Sequence, residues 1–209
     1  MREITHIIIH HTATPWQLNA DDLNGSAIFE VIKKNQKANA LKQGASQDYV
    51  MDYHFVVGHT GSIFQGQPIE MVGWHCGNQG MNLKSIGICF LGNFMKEAPT
   101  AIQLDAGETL TSMLAKKYNI PIQNIMEHKD IVATDCPGKF FPWIKFQNDV
   151  KFLMENSGEV LEAWNYFVKN GIYKSDGRID YPTREISRKE LAVIIIRLLK
   201  NLNLYKGGA

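Results

Sequence analysis

Short apolar runs, rich in β-branched residues, recur along the first two thirds of the chain and predict strands. They lie at residues 4–9, 49–57, 62–64, 85–91 and 124–126. Runs of this length, bounded by polar residues or by glycine, are typical of buried strands. The second and third runs flank a His-Thr-Gly turn, which predicts a hairpin.

Two segments between these strands have apolar residues at helical spacing. Residues 26–42 place Ile28 and Val31 on one face and lysines on the other. A second helix is predicted to begin at the capping-box pattern of Thr100 and Gln103. Since strands alternate with helices, the chain is predicted to be α/β, with a central mixed β-sheet flanked by helices.

The pattern changes after residue 153, where two amphipathic helices joined by a polar loop are predicted. A helix–loop–helix unit of about 50 residues is too small to bury its apolar stripes alone. We expect it to pack on the preceding domain, on a copy of itself in a homo-oligomer, or on a partner. The predicted domains are therefore residues 1–153 and a small α-helical domain at residues 154–209.

Composition excludes several classes of protein. Of the 209 residues 44% are hydrophobic, which is too many for a disordered chain, and no apolar run reaches the length of a membrane-spanning helix. The 22 basic residues nearly balance 21 acidic ones, leaving a net charge of +1. Because nucleic acids and anionic membranes are bound by clustered basic residues, neither is an expected partner.

Cysteine usage and the amino terminus both point to synthesis in a reducing compartment. The first residues lack a small-residue cleavage pattern after a long apolar stretch, so no secretory signal is predicted. The three cysteines, Cys76, Cys89 and Cys136, are odd in number. A cysteine with a role is therefore expected to be a ligand or a nucleophile and not half of a disulfide.

One group of residues is suited to binding a metal ion. His10 ends a predicted strand, and His128 and Cys136 lie in the segment EHKDIVATDCPG. Two neutral imidazoles and one thiolate can hold zinc and leave its fourth position open for water, as in catalytic sites. The spacing alone leaves packing or exposure of each histidine as the alternative, and the His-Glu-x-x-His pattern of helical metalloproteases is absent.

Four segments taken together carry a resemblance to a known family. In chain order they are IIIHHTAT, DYHFVV, GWHCGNQGMNLKSIGICFLGNF and EHKDIVATDCPG. They closely resemble the type 2, zinc-dependent N-acetylmuramoyl-L-alanine amidases, a family that includes phage lysozymes and peptidoglycan recognition proteins. The resemblance covers about residues 3–143 and implies one Zn²⁺ per chain, with His10, His128 and Cys136 as its ligands.

The resemblance also implies catalytic and substrate-binding residues. Tyr53 matches the tyrosine that assists catalysis. Thr134 matches a catalytic position that is lysine in the phage lysozymes and threonine in catalytic recognition proteins, so a mechanism that depends on a lysine cation is not expected. The residues predicted to bind substrate are Trp74, His75, Asn82 and Asn93.

The implied reaction is hydrolysis of the amide bond between the lactyl group of N-acetylmuramic acid and L-alanine in peptidoglycan, which lyses the cell wall. The expected setting is a phage or prophage endolysin that is made in the cytoplasm and acts on the wall after release, with a bacterial autolysin or recycling enzyme as the alternative. The competing class is a recognition protein that binds peptidoglycan without cleaving it. Non-catalytic members typically lose the zinc cysteine, so Cys136 and Tyr53 favour catalysis.

Two further hypotheses concern the metal and the tail. A purely structural zinc ion would need a fourth protein ligand, for which only His11 and Asp135 are close in sequence.

The tail, at about residues 157–202, resembles a single S-layer-homology repeat. The residues that carry this resemblance are Trp164, Asn170-Gly171-Ile172 and Ser175-Asp176-Gly177. That resemblance implies binding to a secondary cell-wall polymer, and a helical hairpin that caps or dimerises the enzyme is the alternative.

Overall fold

Five strands form one sheet in the computed structural model, which describes residues 2–14 and 25–156. The strands are β1 at His6–His11, β2 at Phe55–Val57, β3 at Ile63–Gln65, β4 at Ser85–Phe90 and β5 at Ile125–Glu127. Their order across the sheet is β3-β2-β4-β1-β5. β1 pairs parallel with β4 and β5, β2 pairs parallel with β4, and β3 is antiparallel to β2. The predicted mixed sheet and its hairpin are therefore confirmed.

Four α-helices accompany the sheet within the described residues. They are α1 at Ser26–Lys42, α2 at Gln79–Asn82, α3 at Ala101–Lys117 and α4 at Trp143–Glu155. Two 3₁₀ turns, Ile122–Asn124 and His128–Asp130, flank β5. In this part of the chain, no helix combines the length and the hydropathy needed to cross a membrane.

The last helix runs across the predicted domain boundary. α4, which the sequence analysis did not predict, continues to Glu155, whereas the boundary is predicted after residue 153. The predicted helical tail lies, from residue 157 onward, outside the described residues. Its S-layer-homology resemblance therefore stays a prediction.

The centre of the sheet is covered on both faces. All six residues of β4 are buried, and residues 7–9 of β1 have no exposed surface. Ile28 and Phe29 of α1 pack into a buried cluster that contains Cys89 and Leu91. Because side chains of a strand alternate between the two faces, Phe90 lies on the opposite face. There its ring packs edge to face with Phe141 and Phe146, at centroid distances of 5.2 and 6.0 Å.

The start of α3 is confirmed, although its glutamine acts differently from a capping box. The Thr100 side chain accepts a hydrogen bond from the Gln103 backbone N–H at 3.2 Å. Gln103 Nε2 does not return to the cap. It donates to the carbonyl oxygens of Val57 and Leu91, at 3.0 and 2.8 Å. Gln103 thereby ties the helix to the ends of β2 and β4.

Two local predictions are wrong. The strand predicted at residues 49–57 begins only at Phe55, because the N–H groups of Val50 and Met51 donate to the Gln67 side chain and not to a neighbouring strand. Val31, predicted on the buried face of α1, is 44% exposed. The buried face is rotated to include Phe29, which stacks on Phe64 at a centroid distance of 4.8 Å.

Candidate metal centre

Three potential ligands converge at one edge of the sheet. His10 lies near the end of β1, and His128 begins the turn that follows β5. These two strands are parallel neighbours, so their carboxyl ends meet at the same edge. The loop after His128 folds back, with the Lys129 N–H donating to the Cys136 carbonyl at 2.9 Å. One ligand atom from each of His10, His128 and Cys136 lies within 4.8 Å of the others, and no other such group occurs among the described residues.

The ring nitrogens are arranged as a metal ion would require. His10 Nδ1 lies 3.8 Å from Cys136 Sγ, while its Nε2 is bound on the other side of the ring. His128 Nε2 is buried and has no hydrogen-bond partner among the described residues. An unpaired buried polar atom costs about 1–3 kcal/mol, and a metal ion would remove that cost. The donor set of two imidazoles and a thiolate fits zinc.

Burial sets the protonation state of these groups. Desolvation lowers the pKa of His10 well below 6.5 and also lowers that of His128, so both rings are neutral and keep a free lone pair at pH 7. Desolvation raises the pKa of the Cys136 thiol to about 11. The His11 backbone N–H, which donates to Sγ at 3.4 Å, opposes that rise. A bound cation would be needed to hold the thiolate at neutral pH.

Tyr53 lies beside the three ligand candidates. Its ring centroid is 5.2 Å from that of His10. Burial raises the pKa of Tyr53 well above 10, and charge on the neighbouring thiols Cys89 and Cys136 acts in the same direction. The hydroxyl therefore stays protonated at neutral pH and can donate a hydrogen bond.

Thr134 lies on the loop that carries the cysteine. Its side chain is exposed, and its Oγ1 accepts a hydrogen bond from the Cys136 N–H at 3.3 Å. The hydroxyl hydrogen is not used in that bond. Thr134 both supports the ligand loop and offers a donor at the surface.

Neither candidate for a fourth protein ligand joins the group. His11 points to the opposite face of the sheet, where its Nδ1 accepts a hydrogen bond from the Phe94 N–H at 3.0 Å. This agrees with the alternation of side chains along a strand. Asp135 is exposed and lies outside the convergent group. Within residues 2–14 and 25–156, the group offers three protein ligands.

A polar cleft of about 340 Å³ contains two of the predicted substrate-binding residues, Trp74 and Asn82. Most of the residues that line it have carboxamide side chains, and Asp52 is the acidic member; the lining residues are Gln36, Asn39, Ala40, Gln43, Asp52, Trp74, Gly77, Gln79 and Asn82. The α1 residues among them were missed by the sequence analysis. Their i, i+3, i+7 spacing places them on one face of α1, which could have indicated a shared surface. A polar face of a helix usually contacts only solvent, however, so the spacing did not distinguish a cleft from an ordinary exposed face.

The other two predicted substrate-binding residues have protein partners. Asn93 Nδ2 donates to the Ala13 carbonyl at 3.2 Å, and its Oδ1 accepts from the Met95 N–H at 3.1 Å. His75 is only 5% exposed, and each of its ring nitrogens lies within hydrogen-bond distance of a protein atom. Neither residue is among those that line the cleft.

His54 is a buried histidine that makes folding sensitive to acid. It has no exposed surface, and its Nδ1 accepts a hydrogen bond from the Gly87 N–H at 2.9 Å. Desolvation, followed by the charge of Arg2, lowers the pKa of His54 from 6.5 to about 4. The folded protein therefore holds this ring neutral over a pH range in which the unfolded chain protonates it.

We predict that the metal-free protein loses stability as the pH falls from 6.5 to 4. In that interval the unfolded chain binds a proton at residue 54 that the folded chain does not. The free energy of unfolding therefore decreases as the pH is lowered. From pH 7.5 to 5.0 the contribution of this residue is about 2 kcal/mol. Urea titrations at the two pH values measure it. His54→Gln should remove that part of the pH dependence, and His59→Gln, at a partly exposed position, should remove much less; equal slopes for wild type and His54→Gln would contradict the prediction.

The fold and the site together define a class of protein: a mixed α/β sheet that carries two histidines and a cysteine at one edge, in a chain that also has a polar cleft. A family model described as N-acetylmuramoyl-L-alanine amidase matches residues 1–139. The chain belongs to this family.

Relatives and solved structures agree with that assignment. Peptidoglycan-recognition protein 2 of Holotrichia diomphalia is 29% identical over 147 residues, which are 66% of this chain and 69% of the relative. Peptidoglycan-recognition protein SC2 of Drosophila simulans is 30% identical over 136 residues, 65% and 68% of the two chains. The structure of the N-acetylmuramoyl-L-alanine amidase LysC from Clostridium intestinale URNW is 28% identical with a TM-score of 0.57, over 72% of this chain and 87% of that one.

A structure of peptidoglycan recognition protein-LE contains a ligand, tracheal cytotoxin, which is a monomeric diaminopimelic acid-type peptidoglycan. It is 27% identical with a TM-score of 0.56, and the match covers 71% of this chain and 81% of that chain. The family thus includes both an amidase and proteins named for recognition.

Proposed function

We propose that the protein hydrolyses the amide bond between the lactyl group of N-acetylmuramic acid and L-alanine in peptidoglycan, as a zinc-dependent enzyme. The observation that carries the proposal is the convergence of His10, His128 and Cys136 within 4.8 Å of one another. Family membership supports the choice of bond. The proposed ligand atoms are His10 Nδ1, His128 Nε2 and Cys136 Sγ.

A zinc ion held there would supply a water of lowered pKa and a Lewis acid for the carbonyl oxygen. The residues of the chain account for the remaining tasks. The protonated Tyr53 hydroxyl donates a hydrogen bond to the oxyanion that develops when the amide carbonyl is attacked. The Thr134 hydroxyl, exposed next to Cys136, hydrogen-bonds to the same intermediate or orients the attacking water.

The composition of the cleft suits a fragment of peptidoglycan. Carboxamide side chains both donate and accept hydrogen bonds, so they complement sugar hydroxyls, acetamido groups and peptide amides. Trp74 supplies an apolar surface for a sugar or peptide group. The bound fragment in peptidoglycan recognition protein-LE supports the same class of ligand.

The second candidate function is recognition of peptidoglycan without cleavage. The names of the relatives from Holotrichia diomphalia and Drosophila simulans favour it. The full ligand set together with a protonated tyrosine beside it favours catalysis, because binding alone requires neither. Phage origin, action on the wall after release, a wall-polymer ligand of the tail and its role in oligomerisation stay predictions from the sequence.

Digestion of purified cell walls distinguishes the two functions. The zinc-loaded protein should release stem peptides that begin with free L-alanine, identified by mass spectrometry, and chelation should stop their release. A recognition protein would sediment with the walls and release nothing. Released glycopeptides in which the lactyl–alanine bond is intact would contradict the proposed reaction.

A further inference from the structure

A chain of hydrogen bonds leads from the proposed ligand His10 into the protein. His10 Nε2 lies 2.9 Å from His75 Nδ1, and His75 Nε2 lies 3.2 Å from Ser85 Oγ. Ser85 Oγ donates to the Met81 carbonyl at 2.7 Å. The side chains are buried, with residue exposures of 1% for His10, 5% for His75 and 0% for Ser85.

The Met81 carbonyl, at the end of this series of hydrogen bonds, determines which group donates in each of them. A carbonyl oxygen has no hydrogen, so the single hydroxyl hydrogen of Ser85 is used toward Met81. Ser85 Oγ must then accept from His75, which places a hydrogen on His75 Nε2. In a neutral imidazole the other nitrogen is an acceptor. His75 is only 5% exposed and its two ring partners carry no negative charge, so burial favours the neutral ring.

The same logic reaches the proposed ligand. Since His75 Nδ1 accepts, His10 Nε2 must carry the hydrogen. His10 Nδ1, which faces Cys136 Sγ at 3.8 Å, is left with its lone pair free. We infer that His75 is a positioning residue that fixes the ring orientation and the tautomer of His10 for metal binding. Ser85 determines which of the two histidines donates in the hydrogen bond between them. His75 thus acts through His10 and not by contact with substrate.

The strand beneath His75 is shaped to its ring. A Cβ atom at residue 87 would lie 2.6 Å from His75 Cγ and 2.8 Å from its Nδ1, so only glycine lets the ring lie against β4. Glycine within a strand weakens it and often marks such a close approach. Ring packing against His54, edge to face at 5.7 Å, bounds the imidazole further. The ring is therefore held by packing as well as by hydrogen bonds.

The inference rests on the proposed metal site, but its first test needs no metal. Two-bond ¹H–¹⁵N correlation spectra of the metal-free protein report which nitrogen of each imidazole is protonated. We expect protons on Nε2 of both His10 and His75 in the wild type. A proton on His10 Nδ1 would overturn the inference, whether or not the protein proves to be an amidase.

The second test is zinc affinity, measured by competition with a chelating dye. Loss of a partner that orients a ligating histidine typically lowers metal affinity about 10–100-fold. We expect a loss of that size for Ser85→Ala and for His75→Phe, with part of it restored by His75→Asn, whose Oδ1 can accept in place of Nδ1. Wild-type affinity in both Ser85→Ala and His75→Phe would overturn the inference.

Ser112→Ala is the matched control. Ser112 is also a buried serine, and its hydroxyl donates to the Thr109 carbonyl at 2.9 Å, on α3. It should lose similar stability and keep wild-type zinc affinity. A loss of affinity in Ser112→Ala equal to that in Ser85→Ala would assign the effect to general destabilisation and count against the inference. A wild-type protein that binds no zinc would instead contradict the proposed function.

Discussion

Cys136→Ser should abolish stoichiometric zinc binding and lower the release of stem peptides by on the order of a thousand-fold. The three proposed ligands leave no protein group among the described residues to replace the thiolate. A metal ion that acts as a Lewis acid stabilises the transition state by several kcal/mol. Since about 1.4 kcal/mol corresponds to a factor of ten in rate, its loss accounts for an effect on the order of a thousand-fold. Metal analysis of the purified protein and mass spectrometry of digested walls measure the two effects.

Cys76→Ser is the matched control for that variant. Cys76 is also a buried thiol, but its Sγ donates to Asn82 Oδ1 at 3.0 Å, a bond that a serine hydroxyl can make. One zinc ion per chain should remain bound. Wild-type zinc content in Cys136→Ser, or its loss in Cys76→Ser alone, would contradict the proposed ligand set.

Tyr53→Phe should lower kcat about 10²–10³-fold and leave zinc content and KM nearly unchanged. The variant keeps the ring that packs near His10 and removes only the hydroxyl, whose raised pKa makes it a hydrogen-bond donor at neutral pH. Loss of one donor to a developing oxyanion has an effect of this size. Steady-state hydrolysis of a soluble muramyl peptide, with metal analysis of the same samples, measures it.

Tyr118→Phe serves as the comparison, since it removes the same hydroxyl from a tyrosine at the end of α3. Its turnover should equal that of the wild type. Unchanged turnover in Tyr53→Phe would exclude Tyr53 from the mechanism. A rise in KM without a change in kcat would assign the hydroxyl to ground-state binding of the substrate.

The sequence predicted elements best where a local pattern was sufficient. The capping threonine of α3 and the buried core strands β1 and β4 follow from residues that are neighbours in the chain. Predictions failed where a distant residue supplied the partner. Gln67 binds the N–H groups of residues 50 and 51 and so shortens the predicted strand. Packing on Phe64 turns α1 so that Val31 faces outward.

By itself, the sequence determined the family, the mixed α/β fold and the composition of the candidate metal centre. The resemblance also assigned the ligand role to His10 and not to His11, and the structure agrees, because neighbouring side chains of a strand point to opposite faces. Only the tertiary structure decided which ring nitrogen is free and what His75 contacts. Those outcomes depend on hydrogen bonds among residues 10, 75 and 85, which come from separate segments of the chain. Such bonds form only when the sheet brings the segments together, so no local pattern encodes them.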